Sequence, residues 1–93
     1  MIDRAYRAAP ADALRIEPLG ELTAIFDRRS MQTHLVVAPL PEMLALMGED
    51  PCDAALLARR LEIAFDLGDA GDVRALVGER LAELADMGLA AAA

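Results

Sequence analysis

Hydrophobic and polar positions alternate in the first forty residues of the chain. Three runs show this alternation: Ala13–Pro18, which is weak, Leu22–Asp27 and Gln32–Val37. The turn signals PLGE and RRS lie between them. Short alternating runs joined by tight turns predict an antiparallel meander of three strands. A meander of this size needs helices over one face to be stable.

Helical spacing replaces the alternation after Pro39. Pro41 suits the first position of a helix, and Gly48 suits the residue just past its end. The sequence therefore predicts a short first helix between them. Its apolar stripe is predicted to contain Leu40, Met43, Leu44 and Met47.

Two further helices are predicted in the second half of the chain. One begins after Pro51, with Cys52 or Asp53 as its N-cap. The last begins at its N-cap Asp72 and ends at Gly88 in a left-handed cap, on which Leu89 can fold back. The predicted stripes are Leu57, Leu61, Ala64 and Phe65 on the second helix, and Val73, Leu76, Val77, Leu81, Leu84 and Met87 on the third.

These elements predict one α+β domain over residues 1–93, with the order βββααα and a winged-helix-like layout. Ninety-three residues bury enough surface for one modest core. Segments 1–10 and 90–93 are predicted to be frayed.

Charge is distributed unevenly around the net value of −7. Residues 1–40 carry five Arg and five acidic residues, whereas residues 41–93 carry four Arg and eleven acidic residues. Because a phosphate backbone repels an acidic surface, this half is not expected to lie along a nucleic acid.

The chain offers little for catalysis. It has one Cys, one His and one Ser, and no spacing links them as nucleophile and base. No set of metal ligands and no glycine-rich phosphate loop is present, so no cofactor and no enzymatic activity is expected. The N-terminus has charges where a signal peptide is apolar, no run is long enough to span a membrane, and Cys52 cannot pair internally. These features predict a cytoplasmic protein with no membrane partner.

A helix-turn-helix is an alternative interpretation of the last two helices. The predicted loop, Asp66–Gly71, is longer than the turn of that motif. The last helix also carries more acidic than basic residues, the opposite of a DNA-reading helix. A degenerate DNA-binding protein is therefore the weakest of the hypotheses, and no nucleic-acid partner is expected.

The chain as a whole resembles the PqqD-like family. The matching pieces are THL at 33–35, the helix LPEMLALM, LLA followed by Leu61, and L..L..MGL at 81–89. The Thr-His-Leu form is most similar to the subgroup associated with HPr-kinase-related proteins. One departure is Val36, where many members have Asn.

The resemblance implies a peptide chaperone, or RiPP recognition element. Such a domain does no chemistry: it binds the leader segment of a ribosomally made precursor peptide and presents it to a modifying enzyme, here expected to be an HPr-kinase-related protein. In the family the leader adds as a strand beside the third strand, with side chains toward the last helix. The implied peptide-binding residues are Thr33, His34, Leu35, Val36 and Val37 on the strand, and Val73, Leu76, Val77 and Arg80 on the helix.

If the third strand lies at the edge of the sheet, the addition of a peptide strand has a physical basis. An edge strand leaves N–H and C=O groups unpaired, and Thr33–Val37 has no Lys or Pro to blunt it. Arg80, one turn from Val77, is the expected charged contact for an acidic leader, and Arg28 and Arg29 could also attract one. Two alternatives stay open. The edge could pair with itself in a homodimer, as in a small scaffold or regulatory protein, or segment 1–9 could cover it.

Overall fold

A three-stranded antiparallel sheet followed by three helices forms the body of the protein. The computed structural model describes residues 4–48, 50–65 and 70–93, with the main chain alone at 70–72. The predicted α+β class and the order βββααα are confirmed. In chain order the elements are β1 (Tyr6–Ala8), a 3-10 turn (Ala11–Ala13), β2 (Leu14–Leu19), β3 (Leu22–Asp27), β4 (Gln32–Val37), α1 (Leu40–Met47), α2 (Ala54–Phe65), α3 (Ala70–Asp86) and β5 (Ala90–Ala92).

The main sheet has the strand order β2-β3-β4, so β4 lies at one edge and β2 at the other. The bounds of β3 and β4 are those predicted, and β2 is displaced by one residue. A positive φ at Gly20 fits the tight turn between β2 and β3. One face of the sheet packs against the helices through the buried side chains of Ile25 and Val36.

Helix α1 follows β4 after two residues; it ends where predicted and begins at Leu40, one residue before the predicted first position. It ends at Gly48, whose φ of 69° is in the left-handed region. All four residues of its predicted stripe are buried. Arg60, on α2, donates from Nη1 to the carbonyls of Leu46 and Met47 at 2.7 and 3.1 Å. Since the last carbonyls of a helix lack partners within it, this contact fastens α2 to the end of α1.

Helix α2 starts at a side-chain cap. The N–H of Leu56 donates to Oδ1 of Asp53 at 2.8 Å, so Asp53 is the N-cap. Its buried residues are Ala54, Leu57, Ala58 and Leu61. The predicted stripe was wrong at its end, where Ala64 and Phe65 are exposed.

Helix α3 begins at Ala70, three residues earlier than the predicted first residue after the N-cap Asp72. Asp72 lies inside the helix, so the prediction that it caps the helix was wrong. The predicted loop, Asp66–Gly71, therefore loses its last two positions to α3. Its other four positions, 66–69, lie outside the described residues.

The C-terminal end of α3 closes as predicted. Gly88 has a φ of 78°. Its N–H donates to the carbonyl of Ala85, and the N–H of Leu89 donates to that of Leu84, at 3.0 and 2.9 Å. This pattern is a Schellman cap, and it folds the fully buried Leu89 back onto the helix.

The chain ends pair with each other, which corrects the prediction that both are frayed. β1 and β5 form a two-stranded antiparallel sheet, with Tyr6 opposite Ala92 and Ala8 opposite Ala90. Tyr6 also exchanges main-chain hydrogen bonds with Cys52 at 2.9 and 2.8 Å. Burial of Leu89 and Ala90 stabilises this arrangement, which an alanine-rich composition alone does not reveal.

Candidate functional site

Strand β4 has a free edge among the described residues. It pairs with β3 on one side, and no described strand pairs with the other. Residues 6–8 pair with β5, and the N–H of Ala9 donates to the carbonyl of Leu89 at 2.9 Å. The described part of the N-terminal segment therefore lies elsewhere and does not cover this edge.

The hydrogen bonds of the sheet determine which residues of β4 face outward. The N–H of Arg28 donates to the carbonyl of Ala13 at 2.8 Å, and these residues are directly opposite in the β2–β3 register. Hydrogen-bonded and non-bonded pairs alternate along an antiparallel ladder. The pair Leu19–Leu22, six positions further along β2, is therefore bonded as well. Leu22, Ala24 and Phe26 thus turn their main-chain groups toward β2.

Thr23, Ile25 and Asp27 of β3 turn their main-chain groups toward β4. Their partners on β4 are Val36, His34 and Gln32, respectively. Thr33, Leu35 and Val37 consequently direct their N–H and C=O groups to the free edge. The sequence alone could not decide between these two parities.

Pro18 supports this assignment at the opposite edge. It faces Thr23 in a pair without hydrogen bonds, so its missing N–H lies on the free side of β2. Proline is tolerated in a strand at such a position, where no ladder bond is lost. It also blunts the edge of β2 as a template for another strand. β4 has no proline, so the two edges of the sheet differ in their capacity to accept a strand.

A groove of about 530 Å³ lies between β4 and α3, where the resemblance implied peptide binding. α3 contributes residues at helical spacing along one face. Most of the lining is apolar, and the charged residues are Arg80 and Glu83. The lining comprises Leu35, Val36, Val37, Ala38, Pro39, Leu40, Leu76, Arg80, Glu83 and Met87.

Five of the nine predicted site residues line this groove. They are Leu35, Val36, Val37, Leu76 and Arg80.

The other four lie around or beneath it. Thr33 is exposed on β4, and His34 is half-buried, with an Nε2 that has no hydrogen-bond partner among the described residues. Val73 is half-buried against the core. Val77 has no exposed surface, packs in the core and is not part of the groove lining.

Arg80 is already paired within α3. Its Nη1 lies 2.7 Å from both carboxylate oxygens of Glu83, and its Nη2 lies 3.5 Å from Oε2 of Glu79. Its buried Nε has no hydrogen-bond partner in the described part of the chain. An acidic ligand would have to compete with two carboxylates for this guanidinium.

Arg29 joins the β3–β4 turn to Gly88, which follows the groove residue Met87. Nε and Nη2 of Arg29 donate to the carboxylate of Asp27 at 3.0 and 2.9 Å, and its main-chain N–H donates to Oδ1 of Asp27 at 2.9 Å. The hydrogen bonds from Arg29 lower the pKa of the Asp27 carboxyl below its ordinary value. Because Nη2 also contacts the end of α3, Arg29 is structural and not the free cation considered for an acidic peptide.

Sequence reasoning missed five groove residues: Ala38, Pro39, Leu40, Glu83 and Met87. A signal for two of them was present, because 76, 80, 83 and 87 follow one helical face. Met87 was assigned to the core stripe, and only the position of β4 against α3 shows that this edge of the stripe is open.

Other potential sites carry less chemistry. Cys52 is buried, and burial raises the pKa of its thiol, with Arg60 lowering it less.

Over residues 4–48, 50–65 and 70–93, no three His, Cys, Asp or Glu side chains cluster as metal ligands. Within the same residues, no helix has the length and apolar character to cross a membrane. A second groove of about 770 Å³ runs beside the proline-containing β2 and is lined mainly by small side chains, including Ala8, Ala9 and Ala45.

Comparisons with protein-family models, curated proteins and solved structures found no match for this chain.

Proposed function

We propose that this protein is a non-catalytic peptide chaperone of the PqqD-like type. It binds the leader segment of a ribosomally made precursor peptide by strand addition to β4 and presents it to a modifying enzyme. The observation that carries the proposal is an unblunted strand edge with an apolar groove beside it. The groove lies on the edge that lacks proline.

Main-chain and side-chain contacts have separate roles in this mechanism. Thr33, Leu35 and Val37 offer outward N–H and C=O groups to an extended peptide. Each hydrogen bond contributes about 0.5–1.5 kcal/mol regardless of the peptide's sequence. Alternate peptide side chains then enter the groove against Leu76 and Met87, which gives specificity for apolar residues.

The proposal assigns the chemistry to another protein. We propose an HPr-kinase-related protein as the enzyme served, a cytoplasmic location consistent with the unpaired thiol of Cys52, and no cofactor. A cytoplasmic peptide chaperone needs only to hold the peptide extended. The groove, at the surface and open along one strand, suits that task.

The test is titration with synthetic leader peptides encoded by short genes beside the gene of this protein. Amide NMR shifts should concentrate at Thr33, Leu35 and Val37. Leu76→Asn should weaken binding strongly, because it places an uncharged polar amide in the apolar groove. Leu56→Asn is the matched control: Leu56 is a similarly exposed helical leucine, at 38% against 43%, and does not line the groove. Equal losses in both variants, or shifts centred beside β2, would contradict the proposal.

A second candidate is a homo-oligomeric scaffold or regulatory domain that uses the same edge. An exposed apolar row crosses the outer face of the sheet through Leu19, Leu22 and Val37, and self-pairing at β4 would extend it. Light scattering distinguishes the two, because self-pairing predicts a mass that doubles with concentration and returns to the monomer in Leu35→Pro.

DNA binding is not favoured. The last two positions of the predicted loop belong to α3, which weakens the objection based on loop length, but the objection based on charge remains. Glu79, Glu83 and Asp86 still face outward on α3. These carboxylates would repel phosphates.

A further inference from the structure

The charges beside the groove come from α3. β4 contains no ionisable residue other than His34, and the charged lining residues are Arg80 and Glu83. Nη1 of Arg80 contacts both oxygens of Glu83 at 2.7 Å, so this pair is neutral as a unit.

Glu79 changes that balance. Its Oε2 lies 3.5 Å from Nη2 of Arg80, and its side chain is 73% exposed. One guanidinium therefore faces two carboxylates. Each carboxylate accepts about four hydrogen bonds, so both keep open acceptor positions. Glu79 does not line the groove, but with Arg80 and Glu83 it forms a group beside it that carries one more negative than positive formal charge.

We infer that the peptide bound at β4 is cationic, with a Lys or Arg that contacts Glu79 and Glu83; this inference rests on the proposed function. With a basic side chain of the peptide present, two cations (that side chain and Arg80) face the two carboxylates of Glu79 and Glu83. An acidic side chain would instead bring a third carboxylate to a single arginine. The expectation of an acidic leader, which considered Arg80 alone, is thus replaced by its opposite.

The charge of the whole molecule acts in the same direction. The protein carries a net charge of −7, and the excess of acidic residues lies in residues 41–93, which include α3. A negative potential raises the association rate of cationic peptides. Salt screens it over about 8 Å at physiological ionic strength.

The experiment is a selection from a displayed library of random dodecapeptides. One arm uses the parent protein and the other uses Leu35→Pro, which removes an outward N–H from the edge. Circular dichroism tests whether Leu35→Pro is folded. If Leu35→Pro does not fold, Thr33→Pro, at the neighbouring outward position, is used in its place. Peptides retained by the parent and lost by the variant depend on the edge. We expect Lys and Arg to exceed Asp and Glu among them.

Calorimetry of an edge-dependent basic peptide then tests the acidic contact. Glu83→Gln should weaken its affinity about two- to five-fold, the range typical of exposed ion pairs. Glu17→Gln is the matched control, because it removes the same charge from β2, two strands away from β4.

The outcomes separate the two proposals. If edge-dependent peptides are acidic or show no charge bias, or if Glu17→Gln weakens binding as much as Glu83→Gln, the inference is overturned and strand addition stands. If the selection yields no edge-dependent peptide, strand addition fails and the inference fails with it.

Discussion

Nη2 of Arg29 donates a 2.9 Å hydrogen bond to the carbonyl of Gly88, 59 residues further along the chain. The contact joins the β3–β4 turn to the residue that caps α3. Gly88 follows the groove residue Met87, and the turn leads into β4. We therefore expect Arg29 to help set the distance between β4 and α3 at this end.

Replacing Arg29 with Ala should lower the thermal midpoint and weaken peptide binding. The variant leaves the carboxylate of Asp27, which is 3% exposed, with fewer donors and releases Gly88. Arg28→Ala is the control, since Arg28 is exposed and bonds Ala13 through its main chain. Thermal denaturation and peptide titration measure both effects. Indistinguishable behaviour of the two variants would show that Arg29 does not hold the groove.

Stability should decline at acid pH through Asp27. Arg29 holds the pKa of this carboxyl below its ordinary value of 3.8 in the folded protein. The stabilisation is therefore present above that value and is lost as pH falls through the folded-state pKa. Urea unfolding at pH 7 and pH 3 should show a smaller loss for Asp27→Asn than for the parent. An equal loss in both proteins would assign the acid sensitivity to other carboxylates.

Proline should affect β4 according to parity. Leu35→Pro removes an outward N–H and should leave stability nearly unchanged while it abolishes strand addition. His34→Pro removes a ladder bond to Ile25 and should cost about 1–3 kcal/mol, because a buried carbonyl loses its donor. Chemical denaturation of the two variants measures the difference. Greater destabilisation by Leu35→Pro would reverse the assigned parity.

Leu76 and Val77 are neighbours on α3 with opposite environments. Leu76 is 43% exposed and lines the groove, whereas Val77 has no exposed surface. Leu76→Ala should weaken peptide binding with little change in stability. Val77→Ala should cost about 2 kcal/mol, because it opens a cavity in the core. Unfolding and binding measurements on both variants test this separation, and a stability loss from Leu76→Ala as large as that from Val77→Ala would contradict it.

Cys52 should be inert in the native state. Burial raises the pKa of its thiol, which lowers the fraction of reactive thiolate near neutral pH. Labelling with a thiol reagent at pH 8 should be much slower in buffer than in denaturant, and Cys52→Ala should keep peptide binding. Equally fast labelling under both conditions would show that the native thiol is reactive. Loss of peptide binding by folded Cys52→Ala would show that Cys52 takes part in binding.

The predictable part of this fold follows from local chemistry. Alternation set the bounds of β3 and β4 correctly, and Pro41 and Gly48 placed α1 to within one residue. Contacts between distant segments were not predictable in the same way. The pairing of β1 with β5 depends on burial of Leu89 and Ala90, and no local pattern encodes it.

The groove was predictable as a location but not in its details. Leu76 and Val77 are similar apolar neighbours, and only the position of α3 against β4 distinguishes groove from core. The pairing of Arg80 with Glu83 was visible as an (i, i+3) spacing. The sequence did not show that this pair lies at the groove. That position determines the charge of the peptide we infer.

Pro18 has a consequence for how many molecules can assemble. A protein with two receptive sheet edges can stack head to tail without limit, as fibres do, since each added copy offers a new edge. Here Pro18 removes a donor from the edge of β2, so of the two edges of the three-stranded sheet β4 is the more receptive. Association through this sheet is therefore expected to favour two partners, this chain and one peptide or this chain and one copy of itself, over an open stack.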